Sequence, residues 1–240
     1  MAIRLTIIET GEAPSAIRAL FPDYPEMVRR MFARIDSAVV CETVSVVRGD
    51  PLPDPAQLSA VLYTGSPAGV YDPLAWIDPL KQFIRAAASA RTPQVGICFG
   101  HQIMAEALGG RVTRSDRGWG IGRHTYEIVH CPDWSGKVCP PSLSVAVSHQ
   151  DQVIALPPPA RVIAQSAFTP FAGLDYTDFP AISFQCHPEF EPDFAAALYT
   201  VRRGISLSEA EADLAVASLE GDCDRRLLAG WIASFLHANA

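Results

Sequence analysis

The sequence predicts an α/β fold: a doubly wound, mostly parallel sheet flanked by helices, with a small antiparallel layer. Three observations carry this expectation. Over residues 3–110, short β-rich runs alternate with helical spacing in the order β-α-β-β-α-β-α, which implies parallel strands joined by right-handed crossovers. Residues 93–110 pass from a buried strand through a glycine-flanked turn into a helix. Such a corner lies at the carboxyl end of a strand, where open α/β sheets gather their sites. After Gly110 the texture changes to short strands separated by turns, which suggests antiparallel pairing.

Taken in order, residues 3–8 are the first strand, and residues 11–25 read as loop, broken by Pro14, Pro22 and Pro25. Residues 26–35 have helical spacing, with Met27, Met31 and Ile35 on one face and Pro25 suited to the first turn. Residues 41–47 and 59–63 read as strands, and the second runs into a loop over 64–72. Residues 76–90 form a helix. A strand then ends at Cys98, and a further helix runs from His101 until Gly109 and Gly110 stop it. Short strands follow within 111–138, then over 143–147, 153–156, 162–167, 171–175 and 181–186. From Asp193 the chain is helical, over 195–203, 207–219 and 225–237. Ser206 or Ser208 suits an N-cap, with Glu209 and Glu211 complementing the helix dipole. No linker divides the chain, so residues 1–240 are expected to form one domain.

Composition narrows the function. Of 240 residues, 49% are hydrophobic, enough for a substantial core. Acidic residues outnumber basic ones, 26 to 19, for a net charge of −7. That argues against nucleic-acid binding and leaves no basic face for a membrane. No apolar run approaches a membrane span, and the first apolar run meets Glu9 too soon for a signal peptide. The six cysteines show no C-x-x-C and no paired Cys/His spacing. No metal site and no cofactor is therefore expected, and reduced thiols in a cytoplasm are the simplest expectation.

Gly96 and Gly100 flank Cys98 in a G-x-C-x-G pattern, which fits a nucleophile elbow. A cysteine there faces a helix N-terminus, where free N–H groups favour thiolate. Cysteine catalysis also needs a base, and the base needs an orienting group. His187 stands at a strand end with Glu189 two residues on, so a strand-like period aims both the same way. His101, three residues past Cys98, competes as a base, although its place on the helix favours packing. His149, in Ser148-His149-Gln150-Asp151, needs a separate account. His124, His130 and His237 have no suitable companions.

Gly96-Ile-Cys98-Phe-Gly100-His-Gln102, Leu108-Gly-Gly110 and Phe184-Gln-Cys-His187-Pro-Glu189-Phe190 together resemble the class I (triad) glutamine amidotransferases. The likeness is to the glutaminase domain of GMP synthetase and its stand-alone relatives, and it covers roughly residues 40–200. Residues 204–240 are a helical extension without a motif. The resemblance implies a flavodoxin-like class I glutaminase fold. It implies a triad of Cys98 as nucleophile, His187 as base and acid, and Glu189 as orienting carboxylate. It implies oxyanion N–H donors from Gly65 or Ser66 and from Phe99, and substrate contacts from Gln102, Ser148, His149 and Gln150. Many relatives have Gly-Gly-Pro where this chain has Gly65-Ser66-Pro67, and often glycine at the positions of Cys186 and Gln150.

The implied reaction is hydrolysis of a γ-glutamyl amide, L-glutamine to glutamate and ammonia, through a thioester. Two other readings stay open: a γ-glutamyl peptidase acting on glutathione-like compounds, and a non-catalytic regulatory or binding subunit. The intact Cys98, His187 and Glu189 argue against the last. The chain has no phosphate-binding pattern such as S-G-G-x-D-S. A small molecule is therefore the expected partner, with a synthetase in trans where ammonia is passed on.

Overall fold

The first strand, β1 (Ile3–Glu9), is buried at six of its seven positions because it runs inside a sheet covered on both faces. The computed structural model describes residues 2–136 and 139–240, so the last two positions of the expected 111–138 stretch lie outside the described residues. Beside β1 lie β2 (Val39–Ser45) at the edge and β3 (Ala60–Tyr63), then β4 (Gln94–Ile97) and β11 (Ala181–Phe184). All four pairings among these five strands are parallel. The edge position of β2 shows in its alternating, half-exposed pattern, whereas β3, β4 and β11 are buried throughout.

Alternate residues on the central strands feed separate cores, as period-two side-chain direction demands. Leu5, Ile7, Leu62, Val95 and Ile97 face α1 (Tyr24–Ile35) and α6 (Arg225–Asn239). Ile8, Val61 and Tyr63 face α2 (Ile77–Ser89) and α3 (Phe99–Ala107). Helices therefore cover both faces, as a doubly wound sheet requires.

Beyond β11 the same sheet continues antiparallel through β10 (Gly173–Tyr176), β9 (Ala160–Gln165), β6 (Gly120–Ile128) and β7 (Ser142–His149). Among the described residues, only β5 (Arg111–Arg114) and β8 (Asp151–Ala155) form a separate antiparallel pair. Most of the late short strands thus extend the parallel sheet edgewise, and the small layer is this pair alone. Strand order of that kind depends on long-range pairing, which local periodicity does not encode.

The remaining helices are α4 (Pro192–Arg202) and α5 (Glu209–Ser218). Ser208, not Ser206, caps α5, in a reciprocal capping box with Glu211. Asp23 caps α1, with Pro25 in its first turn. One expectation is corrected. Cys131 and Cys139 are joined in a disulfide, with Cα atoms 6.1 Å apart, and only Cys41, Cys98, Cys186 and Cys223 are free. The two cysteines stand eight positions apart in the sequence, a spacing that a search for C-x-x-C overlooks. Among the described residues, no helix is long and apolar enough to cross a membrane.

Candidate active site

Cys98 sits between β4 and α3 with φ 54° and ψ −103°, outside the regions that side-chain-bearing residues ordinarily adopt. Strain of this kind persists only where the surroundings over-determine it. Here they do. A Cβ on Gly96 would lie 2.7 Å from the carbonyl oxygen of Gly100, and a Cβ on Gly100 only 2.3 Å from that of Tyr63. Both glycines are needed for close backbone approach. The Cys98 N–H donates to the Phe184 carbonyl on β11 at 2.8 Å, fixing the corner to the neighbouring strand.

The same neighbouring strand delivers the histidine. Ile97 pairs with Phe184, and the chain leaves β11 into a turn where the His187 N–H donates to the Ala146 carbonyl on β7 at 2.9 Å. His187 Nδ1 lies 2.7 Å from Glu189 Oε1, and His187 and Cys98 line one cavity, where Cys98 acts electrostatically on the imidazole. The Phe190 ring stacks on the imidazole, with centroids 3.9 Å apart and planes 6° from parallel. Burial opposes charge on His187, but Cys98 and Glu189 beside it outweigh burial and lift its pKa to about 10. The imidazolium is therefore the resting form at neutral pH.

The competing histidines lack these companions. His101 is buried against Ser183, with Nδ1 and Oγ 2.8 Å apart, and burial lowers its pKa to about 3. Burial, then His124, lowers His149 likewise to about 3, and its Nδ1 is 3.1 Å from the Asp151 carbonyl oxygen. Both are neutral rings held in place.

The 64–72 loop closes over Cys98. A Cβ on Gly65 would lie 3.8 Å from Cys98 Cβ and 3.0 Å from His187 Cε1, so Gly65 leaves room for the imidazole. Thr10, at the end of β1, braces this loop: its hydroxyl donates to the Thr64 carbonyl at 2.9 Å, and its N–H donates to Thr64 Oγ1 at 3.1 Å. Ser66 Oγ accepts from the Ala68 N–H at 3.1 Å. Phe99 opens α3, so its N–H has no acceptor within the helix, while its ring packs edge-on against Trp76.

Cys98 lies between two cavities, of about 410 and about 630 Å³. Gln102, Ser148, His149 and Gln150 all line the smaller one. Gln102 Nε2 donates to the Asp151 carbonyl at 2.8 Å and to Gln185 Oε1 at 3.1 Å. The Ser148 carbonyl oxygen is 3.9 Å from Cys98 Sγ. His187 lines only the larger cavity. These expected residues are thus brought together, with Gln150 among those lining the smaller cavity.

One residue in the site was not foreseen. Arg202, at the last turn of α4, lines both cavities, donates to Ser148 Oγ at 2.5 Å and lies over the Trp119 ring, 4.6 Å from its centroid. Tyr199, three residues earlier, anchors α4 by donating to the Val147 carbonyl at 2.6 Å. The guanidinium is placed by that anchor, and no sequence motif marks it.

A family profile, "Glutamine amidotransferase class-I", matches residues 31–200. The chain belongs to the class I glutamine amidotransferases. A glutamine amidotransferase-like protein of Schizosaccharomyces pombe is 25% identical over 98% of this chain and 99% of its own. A glutamine-hydrolysing GMP synthase of Thermomicrobium roseum is 30% identical over 74% of this chain, which spans 32% of that longer protein. The crystal structure of a glutamine amidotransferase from Thermotoga maritima superposes with a TM-score of 0.77, at 22% identity, covering 99% of this chain and 98% of the other. This class I amidotransferase therefore shares its fold with solved members across nearly its whole length. Arg202 lies just past the residues that the family profile matches.

Proposed function

We propose that the chain hydrolyses a γ-glutamyl amide, with L-glutamine as the reference substrate, through a thioester on Cys98. The observation that carries this reading is the gathering of Cys98, His187 and Glu189, with the imidazole hydrogen-bonded to Glu189, at the junction of two cavities. Cys98 Sγ attacks the γ-carbonyl carbon. The oxyanion is met by the Phe99 N–H and by an N–H of the Gly65–Ser66 segment. One such donor is worth about 2.7–4 kcal/mol in other acyl-transfer enzymes. His187 gives its proton to the departing nitrogen and the C–N bond breaks. Water then attacks the thioester, losing its proton to His187, and glutamate leaves as the C–S bond breaks. Glu189 keeps the imidazole tautomer and direction. In this reading Gln102, Ser148, His149 and Gln150 hold the glutamyl end, and the C-terminal helices act with the rest as one domain. A synthetase in trans would receive ammonia where ammonia is the product.

Purified protein given L-glutamine is expected to release glutamate and ammonia in equal amounts. Absence of both with Cys98 reduced would overturn L-glutamine as the reference substrate. The pH profile tests the base. His187 must be protonated to serve the leaving group, so activity is held up to about pH 10 and lost above it. Glu189→Gln removes one of the charges that raise the His187 pKa, which then falls. The alkaline limb of kcat/KM is expected to move down by about one to three pH units. An unmoved limb would separate Glu189 from the titration of His187.

A further inference from the structure

We infer that the larger cavity is a leaving-group subsite, built for a γ-glutamyl dipeptide whose departing half is an apolar α-amino acid with its carboxylate on Arg202. This deepens the γ-glutamyl hydrolase reading and rests on it. The nitrogen that departs must lie within reach of the general acid. His187 lines the larger cavity and not the smaller one, whereas Gln102 and Gln150 line the smaller one alone. The glutamyl half and the leaving group therefore lie on opposite sides of Cys98.

Ammonia is about the size of a water molecule, which occupies about 30 Å³ in the liquid. The space on the His187 side is about 630 Å³, within the range of cavities that hold organic ligands. Its walls are largely apolar, with Tyr24, Leu74, Trp76, Phe190 and Leu198 among them. Two charged residues there, Arg18 and Glu12, neutralise each other at 2.9 Å. Arg202 is different. Burial lowers its pKa, and the groups that act electrostatically to raise it are Tyr24, Cys98 and Tyr199, with no carboxylate among them. A half-buried guanidinium with no carboxylate partner is well served by a ligand that supplies one. Arg202 sits beside Ser148, whose carbonyl oxygen is 3.9 Å from Cys98 Sγ. An amino-acid leaving group carries its carboxylate one carbon from the departing nitrogen, so it reaches this cation as its side chain enters the apolar space.

The reaction balances as hydrolysis. The scissile C–N bond breaks as the thioester forms, the amino acid leaves with a proton from His187, and water returns that proton and releases glutamate. Smaller leaving groups follow the same steps without filling the space.

The test compares kcat/KM of the full-length protein for L-glutamine, γ-glutamyl-leucine and γ-glutamyl-isoamylamide, the last being the dipeptide without its carboxylate. The dipeptide is expected to exceed glutamine by about tenfold or more, since one or two apolar contacts give discrimination of about 10–200-fold. Leu74→Trp puts bulk into the larger cavity from a 43%-exposed position away from the smaller one. It is expected to lower turnover of the dipeptide about tenfold and to leave glutamine within about twofold. Arg202→Met is expected to abolish the preference for the dipeptide over the isoamylamide. Glutamine equalling the dipeptide, or Leu74→Trp slowing both alike, would overturn the subsite while leaving γ-glutamyl hydrolysis intact. An Arg202→Met loss equal for all three compounds would move Arg202 to the glutamyl end and overturn the carboxylate anchor. Silence with all three compounds would overturn the hydrolase reading and the subsite with it.

Discussion

Cys98→Ala is expected to lower γ-glutamyl hydrolysis by about four orders of magnitude or more, the scale seen when a covalent nucleophile is removed from other acyl-transfer enzymes. The fold should survive. Cys98 is small and buried, and losing one sulfur atom costs about 1–2 kcal/mol at most. The backbone corner is held by Gly96, Gly100 and the Phe184 carbonyl, none of which the change touches. The same variant has a second readout. Cys98 is one of the groups that raise the His187 pKa, so in its absence the imidazole should titrate at a lower pH, measurable by NMR of the His187 ring. Substantial residual activity would remove Cys98 from the chemistry. An unshifted His187 would show that the two side chains are not electrostatically joined.

Gly100→Ala should be the most damaging single-methyl change in the elbow. Its Cβ would stand 2.3 Å from the Tyr63 carbonyl oxygen and 2.9 Å from the Tyr63 carbonyl carbon, both backbone atoms of a central strand that cannot turn aside. A loss of about 3 kcal/mol or more is expected. Activity should fall as well. The Gly100 N–H donates to the Thr64 carbonyl at 3.1 Å, so displacing α3 also displaces the loop that carries Gly65 and Ser66. Gly230→Ala is the matched control. Gly230 lies within α6, where an added Cβ meets nothing within 4 Å, so alanine should stabilise by about 0.5–1 kcal/mol through helix propensity. Chemical denaturation of the three proteins decides the matter, and equal midpoints for Gly100→Ala and the parent would refute the close-packing account.

The contrast between what was legible in the sequence and what was not follows from distance along the chain. G-x-C-x-G and His187-Pro188-Glu189 are short patterns in which the chemistry and the local backbone demand coincide, so the elbow and the histidine–carboxylate pair could be read directly. The helices were legible for the same reason, including Pro25 in the first turn of α1, whereas the Asp23 cap was not read. Antiparallel pairing after Gly110 was legible, but not that most of those strands join the parallel sheet edge to edge, because β6, β7, β9 and β10 take their places through partners up to dozens of residues away. Arg202 was hidden for a related reason. Its helix looks like any other until Tyr199 fixes α4 against β7 and turns the guanidinium toward Ser148. The Cys131–Cys139 pairing likewise carries no short-spacing signature.

The placing of the reactive groups just past the ends of β4 and β11 has a consequence for motion. These strands are parallel neighbours inside a sheet covered on both faces, and the Phe184 carbonyl at the end of one accepts from the Cys98 N–H just past the other. Parts of a protein packed in this way open only near the global unfolding limit, whereas loops with exposed backbone open far more readily. The spacing between sulfur and imidazole should therefore stay constant while the 64–72 loop and the turn after β7 fluctuate. Those fluctuations would govern how fast a substrate enters and a product departs, and the bond-making step would proceed on a stationary frame. Hydrogen exchange should show this division directly, slow along β4 and β11 and fast at the two rims.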